Sequence, residues 1–152
     1  MSTYTATIRW TRDPSTDFSR GQYSRAHSWE FDGGVTVPAS PSPHIVPEPW
    51  SDLKGVDPEE AFVASLSSCH MLFFIDLARR GGFVVDEYVD DAEGTLERRH
   101  DGKMWMSKVV LRPRITWAAG GPNEAAVTEL HHHAHDQCFI ANSVTTEVTV
   151  QS

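Results

Sequence analysis

Apolar and polar residues recur with two periods along this chain, and the changes of period mark its elements. Over residues 3–11, Tyr4, Ala6, Ile8 and Trp10 fall on one face and Thr5, Thr7, Arg9 and Thr11 on the other, the period of a half-buried strand. Residues 12–21 are polar and read as a loop. Residues 24–38 read as a hairpin, R-A-H-S-W-E-F and V-T-V-P around Asp32-Gly33-Gly34. The prolines at 38, 41, 43, 47 and 49 keep residues 39–56 out of a helix. A connection of that length in a compact domain is often functional, and it is expected to lie over the start of the helix that follows.

That helix, over residues 57–82, organises the chain. Asp57 is placed to be the N-cap, Pro58 fits the first helical position, and Glu60 sits where a capping box needs it. Glu59 and Glu60 suit the positive end of the helix dipole; Arg79 and Arg80 suit the negative end, before a Gly81-Gly82 stop. Phe62, Leu66, Cys69, Phe73 and Leu77 form an apolar stripe, and Val63, Met71, Leu72, Phe74 and Ile75 extend it, which predicts burial on most sides. The small residues Ala61, Ala64, Ser65, Ser67 and Ser68 precede Cys69 and allow close approach of another backbone.

Residues 86–99 and 103–117 read as two long strands joined at His100-Asp101-Gly102. In the second, Trp105, Val109, Leu111, Ile115 and Trp117 share one face and Lys108, Arg112 and Arg114 the other; Pro113 points to an edge or a bulge. A second helix follows over 123–137, with Val127, Leu130, Ala134 and Cys138 at core spacing, and a strand over 143–151. The order β-β-β-α-β-β-α-β predicts one α+β domain, residues 1–152, with mostly antiparallel sheets around long helices.

Charge and composition narrow the partners. The net charge of −8 and the absence of a basic run argue against nucleic acid and against an anionic membrane surface. The apolar stretch around Cys69 is interrupted by serines, Asp76 and Arg79, so no membrane span is expected. The N-terminus has no signal-peptide pattern, which makes the cytoplasm the expected location. In a reducing compartment the two cysteines, Cys69 and Cys138, are expected to be reactive or free rather than a structural staple.

Two thiols on apolar helix faces suit peroxide chemistry, in which one thiolate attacks the O–O bond and the second condenses with the sulfenic acid. The alternative is that both are inert core residues. An attacking thiolate needs a nearby cation or donor; Arg25, His27 and His44 are upstream candidates, whereas His70 leaves the helix about 100° from Cys69 and points elsewhere. Glu59 is a candidate orienting residue, or it simply serves the helix N-terminus. It lies ten residues before Cys69, a rise of about 15 Å, so the two meet only through a bent helix or if Glu59 comes from a second subunit. His131, His135 and Cys138, spaced i, i+4, i+7, are a candidate zinc trio; the competing reading, a solvated histidine-rich helix face, is favoured.

The segments V-D-P-E-E-A-F-V-A-S-L-S-S-C-H-M at 56–71 and C-F-I-A-N-S-V-T-T-E-V at 138–148 resemble the OsmC/Ohr family, the osmotically inducible and organic hydroperoxide resistance proteins. The likeness extends over most of the chain. It implies the OsmC fold, an intertwined homodimer with its sites at the subunit interface. It also implies thiol-dependent reduction of organic hydroperoxides, with Cys69 as peroxidatic thiolate, Cys138 as resolving thiol and Glu59 as the active-site glutamate. The implied reductant is a dithiol, of lipoyl type in some members, and no cofactor is implied. Position 49, where part of the family has its activating arginine, is proline here, which leaves Arg25 or His44 for that role. The runner-up is a binding protein on the same fold, holding a small apolar ligand in a pocket of Trp, Phe and Met side chains.

Overall fold

The computed structural model describes residues 1–152 and falls into two compact units, Met1–Ala61 and Phe62–Ser152. The first unit carries a three-stranded antiparallel sheet in the order β1 (Thr7–Arg9), β2 (His27–Glu30), β3 (Thr36–Ala39). The hairpin read at 24–38 is therefore present, with its turn where the glycines fall. The strand read at 3–11 is present but shorter: only Thr7–Arg9 pairs, and it is exposed rather than half-buried. Alternation marks a face that can be buried, but nothing in this chain covers Ile8.

Residues 40–56 are irregular, as the prolines require. Two backbone bonds tie the end of this connection to β3: Val56 N–H donates to Pro38 O (2.9 Å) and Ser40 N–H to Val56 O (3.1 Å). The approach is close enough that a Cβ on Gly55 would fall 2.8 Å from Ser40 Cβ. The connection thus delivers the chain to the first turn of α1 (Pro58–Arg80).

The cap of α1 is the one its sequence requires. Asp57 Oδ1 accepts from Glu60 N–H at 2.8 Å, and Glu60 Oε2 accepts from Asp57 N–H at 3.3 Å. This reciprocal pair satisfies two otherwise orphaned donors. Asp57→Ala is expected to cost about 1 kcal/mol, read as a lower urea midpoint, whereas Asp57→Asn keeps most of the cap. At the other end Gly82 adopts φ +85°, and Phe83 N–H reaches back to Ala78 O at 3.0 Å, the Schellman closure.

In the second unit the two expected long strands are each broken. β4 (Val85–Asp90) pairs with β7 (Pro113–Trp117), while β5 (Glu93–Arg98) pairs with β6 (Met104–Leu111) in a different sheet. Asp90 is the physical reason. Its Oδ1 accepts from the backbone N–H of Arg112 at 2.6 Å, and its Oδ2 accepts from Ser67 Oγ, so a side chain takes the place of a ladder bond. Pro113, which has no N–H to give, follows directly. β8 (Glu147–Val150) closes the second sheet by running parallel to β6, the one parallel pair in the mostly antiparallel arrangement expected.

Two apolar clusters hold this unit. Leu66, Val109 and Leu111 centre one, under β5, β6 and β8; Phe74, Ala78 and Ala134 centre the other, with β4, β7 and α2 (Glu124–Gln137). The buried line of α1 is Leu66, His70, Phe74 and Ala78. It is turned one position from the expected stripe, so Leu72 and Ile75 stay exposed. By length and composition α1 is apolar enough to cross a membrane, contrary to the sequence expectation. Here it is the helix on which the second unit packs.

Candidate functional site

The two cysteines are neighbours between α1 and α2. α1 presents Cys69, which is half-buried, and α2 ends on Cys138, 1% exposed. The Cys138 thiol lies beside the Cys69 sulfur, and its own sulfur accepts from Ala141 N–H at 3.4 Å. Burial first, then the neighbouring Cys69, pushes the Cys138 thiol up to about 11. At neutral pH Cys138 therefore keeps its proton. Both cysteines are free thiols. Phe73 and Phe139, edge to face at 5.0 Å, pack beside them.

The next residue of α1 belongs to a feature that the sequence reading missed. His70 (1% exposed) and His131 (4%) are joined by a hydrogen bond between Nε2 and Nδ1 of 2.9 Å, their rings nearly parallel at 13°. Phe74 stacks on His131 at 4.3 Å. The outer ring nitrogens, His70 Nδ1 and His131 Nε2, are buried without a partner. The signal was available: His70 falls on the i, i+4 line of Leu66 and Phe74, a line that can only be core.

Burial, with His131 and His135 nearby, lowers the His70 pKa to about 4; burial lowers that of His131 to about 4 against the opposing pull of Asp90. Both rings are neutral at pH 7. As pH falls from 6.5 towards 4, the unfolded chain takes up protons that the folded chain refuses, so stability falls. The slope is at most about 1.4 kcal/mol per pH unit per histidine. Urea midpoints measured between pH 7 and 4 should show this loss. The double variant His70→Leu/His131→Phe, which removes both titrating rings and both orphaned nitrogens, should flatten it. An unchanged slope would assign the acid sensitivity elsewhere.

His131, His135 and Cys138 do not come together as a ligand set. No group of three His, Cys, Asp or Glu side chains is arranged to hold a metal ion. Cys138 is turned onto Cys69 and His131 onto His70, while His135 is exposed.

In the first unit Glu59 is half-buried in the first turn of α1, and His44 is exposed, with its N–H on Ser42 Oγ at 3.2 Å. Arg25 is more constrained. Its Nη1 donates to Tyr23 O (2.8 Å) and Gly21 O (3.2 Å), and its guanidinium lies 3.9 Å over the Tyr23 ring. It lines a cavity of about 550 Å³ together with Ile8, Trp10, Phe18, Tyr23 and His27. The three aromatic rings touch one another, Phe18 and Tyr23 at 4.6 Å and Trp10 and Tyr23 at 5.6 Å. His27 is fixed on both sides, by Arg25 O at 2.7 Å and by Trp29 Nε1–H at 3.2 Å.

Residues 51–152 match the family described as OsmC-like protein. The chain belongs to this family. Its structure superposes on that of an OsmC-like protein of unknown function from Vibrio cholerae with a TM-score of 0.97, at 49% identity over 99% of both chains. An organic hydroperoxide resistance protein OsmC from Legionella pneumophila shares the fold at 16% identity, with a TM-score of 0.69 over the full length of both chains. OhrB, the organic hydroperoxide resistance protein of Bacillus subtilis, does so at 16% identity and 0.66, covering 99% of this chain and 97% of its own. No curated protein matches the sequence significantly. The OsmC fold expected from the motifs is thus present, and both cysteines of the motif pair fall in the segment that matches the family.

Proposed function

We propose that this OsmC-like chain is a thiol-dependent peroxidase for organic hydroperoxides, serving oxidative stress defence in the cytoplasm. The observation that carries the reading is the contact of the half-buried Cys69 thiol with the buried, protonated Cys138 thiol. In the first step the Cys69 thiolate attacks the distal oxygen of ROOH, the O–O bond breaks, and ROH leaves after taking up a proton. Cys69 is then a sulfenic acid. In the second step the Cys138 sulfur displaces the hydroxyl, its proton leaves with that oxygen as water, and a Cys69–Cys138 disulfide remains. A dithiol, of lipoyl type or a small-molecule equivalent, returns both thiols.

Cys69 also needs a cation to hold its thiolate. Arg25 is the preferred one, because it is held in place and faces an apolar cavity, whereas His44 is an exposed loop side chain. Glu59 is about 15 Å along α1 from Cys69. In the homodimer we propose, Glu59 of the partner subunit would reach Cys69. The exposed Leu72 and Ile75 on α1 and the uncovered β1 give such a dimer apolar surface to bury.

Consumption of tert-butyl hydroperoxide with dihydrolipoate as reductant tests the enzyme reading; no consumption above the protein-free rate would reject it. The aromatic cavity supports a second reading, a binding protein for a small apolar ligand. It predicts saturable quenching of tryptophan fluorescence by such ligands while peroxide leaves both thiols reduced.

A further inference from the structure

α1 and α2 touch through adjacent residues of one helix and distant residues of the other. Cys69 meets Cys138 and His70 meets His131. Cys69 and His70 leave α1 about 100° apart, and His131 and Cys138 are seven residues apart, about 10 Å along the helix. Two contacts so placed fix both the rotation of α1 about its axis and its position along α2. The apolar neighbours Phe74, Ala78 and Ala134 permit sliding, because packing of smooth side chains has little directional preference. The imidazole pair does not, because a hydrogen bond weakens steeply when its angle is lost. Burial also makes it costly to leave either ring nitrogen without its partner.

We propose that His70 and His131 are positioning residues for the thiol pair, their Nε2···Nδ1 bond holding α1 and α2 in the register at which Cys138 reaches Cys69. The inference rests on the pairing of the two thiols in the proposed function, but not on peroxide as the oxidant. It is therefore tested without peroxide, through the equilibrium in which the Cys69 and Cys138 thiols and one glutathione disulfide give the protein disulfide and two glutathione molecules. The constant of that equilibrium measures how well the fold holds the two sulfurs together.

The geometry makes a selective demand. His131 uses Nδ1, the position that an asparagine amide occupies, and His70 uses Nε2, the position that a glutamine amide occupies. His131→Asn and His70→Gln should keep the equilibrium constant within about twofold of the unmodified chain, whereas His131→Gln and His70→Asn should lower it about fivefold, the scale of one net hydrogen bond. Alkylation and mass spectrometry across a series of glutathione ratios read the constant, and circular dichroism checks folding. Equal constants within either Asn/Gln pair, or the reverse order, would overturn the proposal. If a substitution at one position unfolds the chain, the Asn/Gln pair at the other position decides by the same criterion. Loss of hydroperoxide turnover with the selective order intact would reject the enzyme reading and leave the positioning role standing.

Discussion

Cys69→Ser is expected to abolish hydroperoxide consumption, by at least about a thousandfold, the scale of removing the nucleophile from a catalytic unit. Cys138→Ser is expected to behave differently, consuming about one equivalent of hydroperoxide per chain and then stalling. The asymmetry follows from burial. Cys138 is shut away from solvent and its thiol is pushed up to about 11, so it holds its proton at neutral pH and is a poor first nucleophile. Cys69 is half-buried and lies beside that same thiol. The sulfenic acid stranded in Cys138→Ser should be captured by a 1,3-diketone such as dimedone and located at residue 69 by peptide mass spectrometry. Full activity in Cys69→Ser would show that the thiol pair is not the site.

Phe74→Ala is expected to be the most damaging apolar truncation, at about 4 kcal/mol. Phe74 is fully buried and touches Tyr88, Trp117 and His131, with ring centroids 5.6, 6.0 and 4.3 Å away. Collapse into the cavity is opposed by the His70–His131 bond on one side and by the β4–β7 ladder on the other. A domain of this size has about 5–15 kcal/mol in total, so the variant should show a urea midpoint far below that of Asp57→Ala. A loss under about 1 kcal/mol, well below the range for truncating a buried phenylalanine, would mean that the second cluster repacks freely around the histidine pair.

Local signals explain what could be read in the chain before its structure was known. The capping box at Asp57 and Glu60, the glycine stop of α1, the start of α2 at Asn123 and the hairpin turn at residues 32–34 are each decided within a few residues. The Cys69–Cys138 pairing was legible because helix periodicity and the family motifs pointed to the same two positions. The broken strands were not, since the break depends on Asp90 reaching Arg112 N–H, 22 residues away. The histidine pair was hidden for a related reason. Locally His70 relates by angle to Cys69 and His131 by spacing to His135 and Cys138, while their partnership spans 61 residues. The aromatic cavity at Arg25 is likewise assembled from distant segments, with Pro41 and Pro58 joining β1, β2 and the loop between them, and no period in the sequence links Trp10, Phe18 and Tyr23.

The most direct test of the thiol-pair mechanism is intact and peptide mass spectrometry of the reduced protein after one equivalent of an organic hydroperoxide. The mechanism predicts the loss of two hydrogens and a peptide cross-linked between Cys69 and Cys138, with the corresponding alcohol released in equal amount. Unconsumed hydroperoxide with both thiols still alkylatable would contradict it.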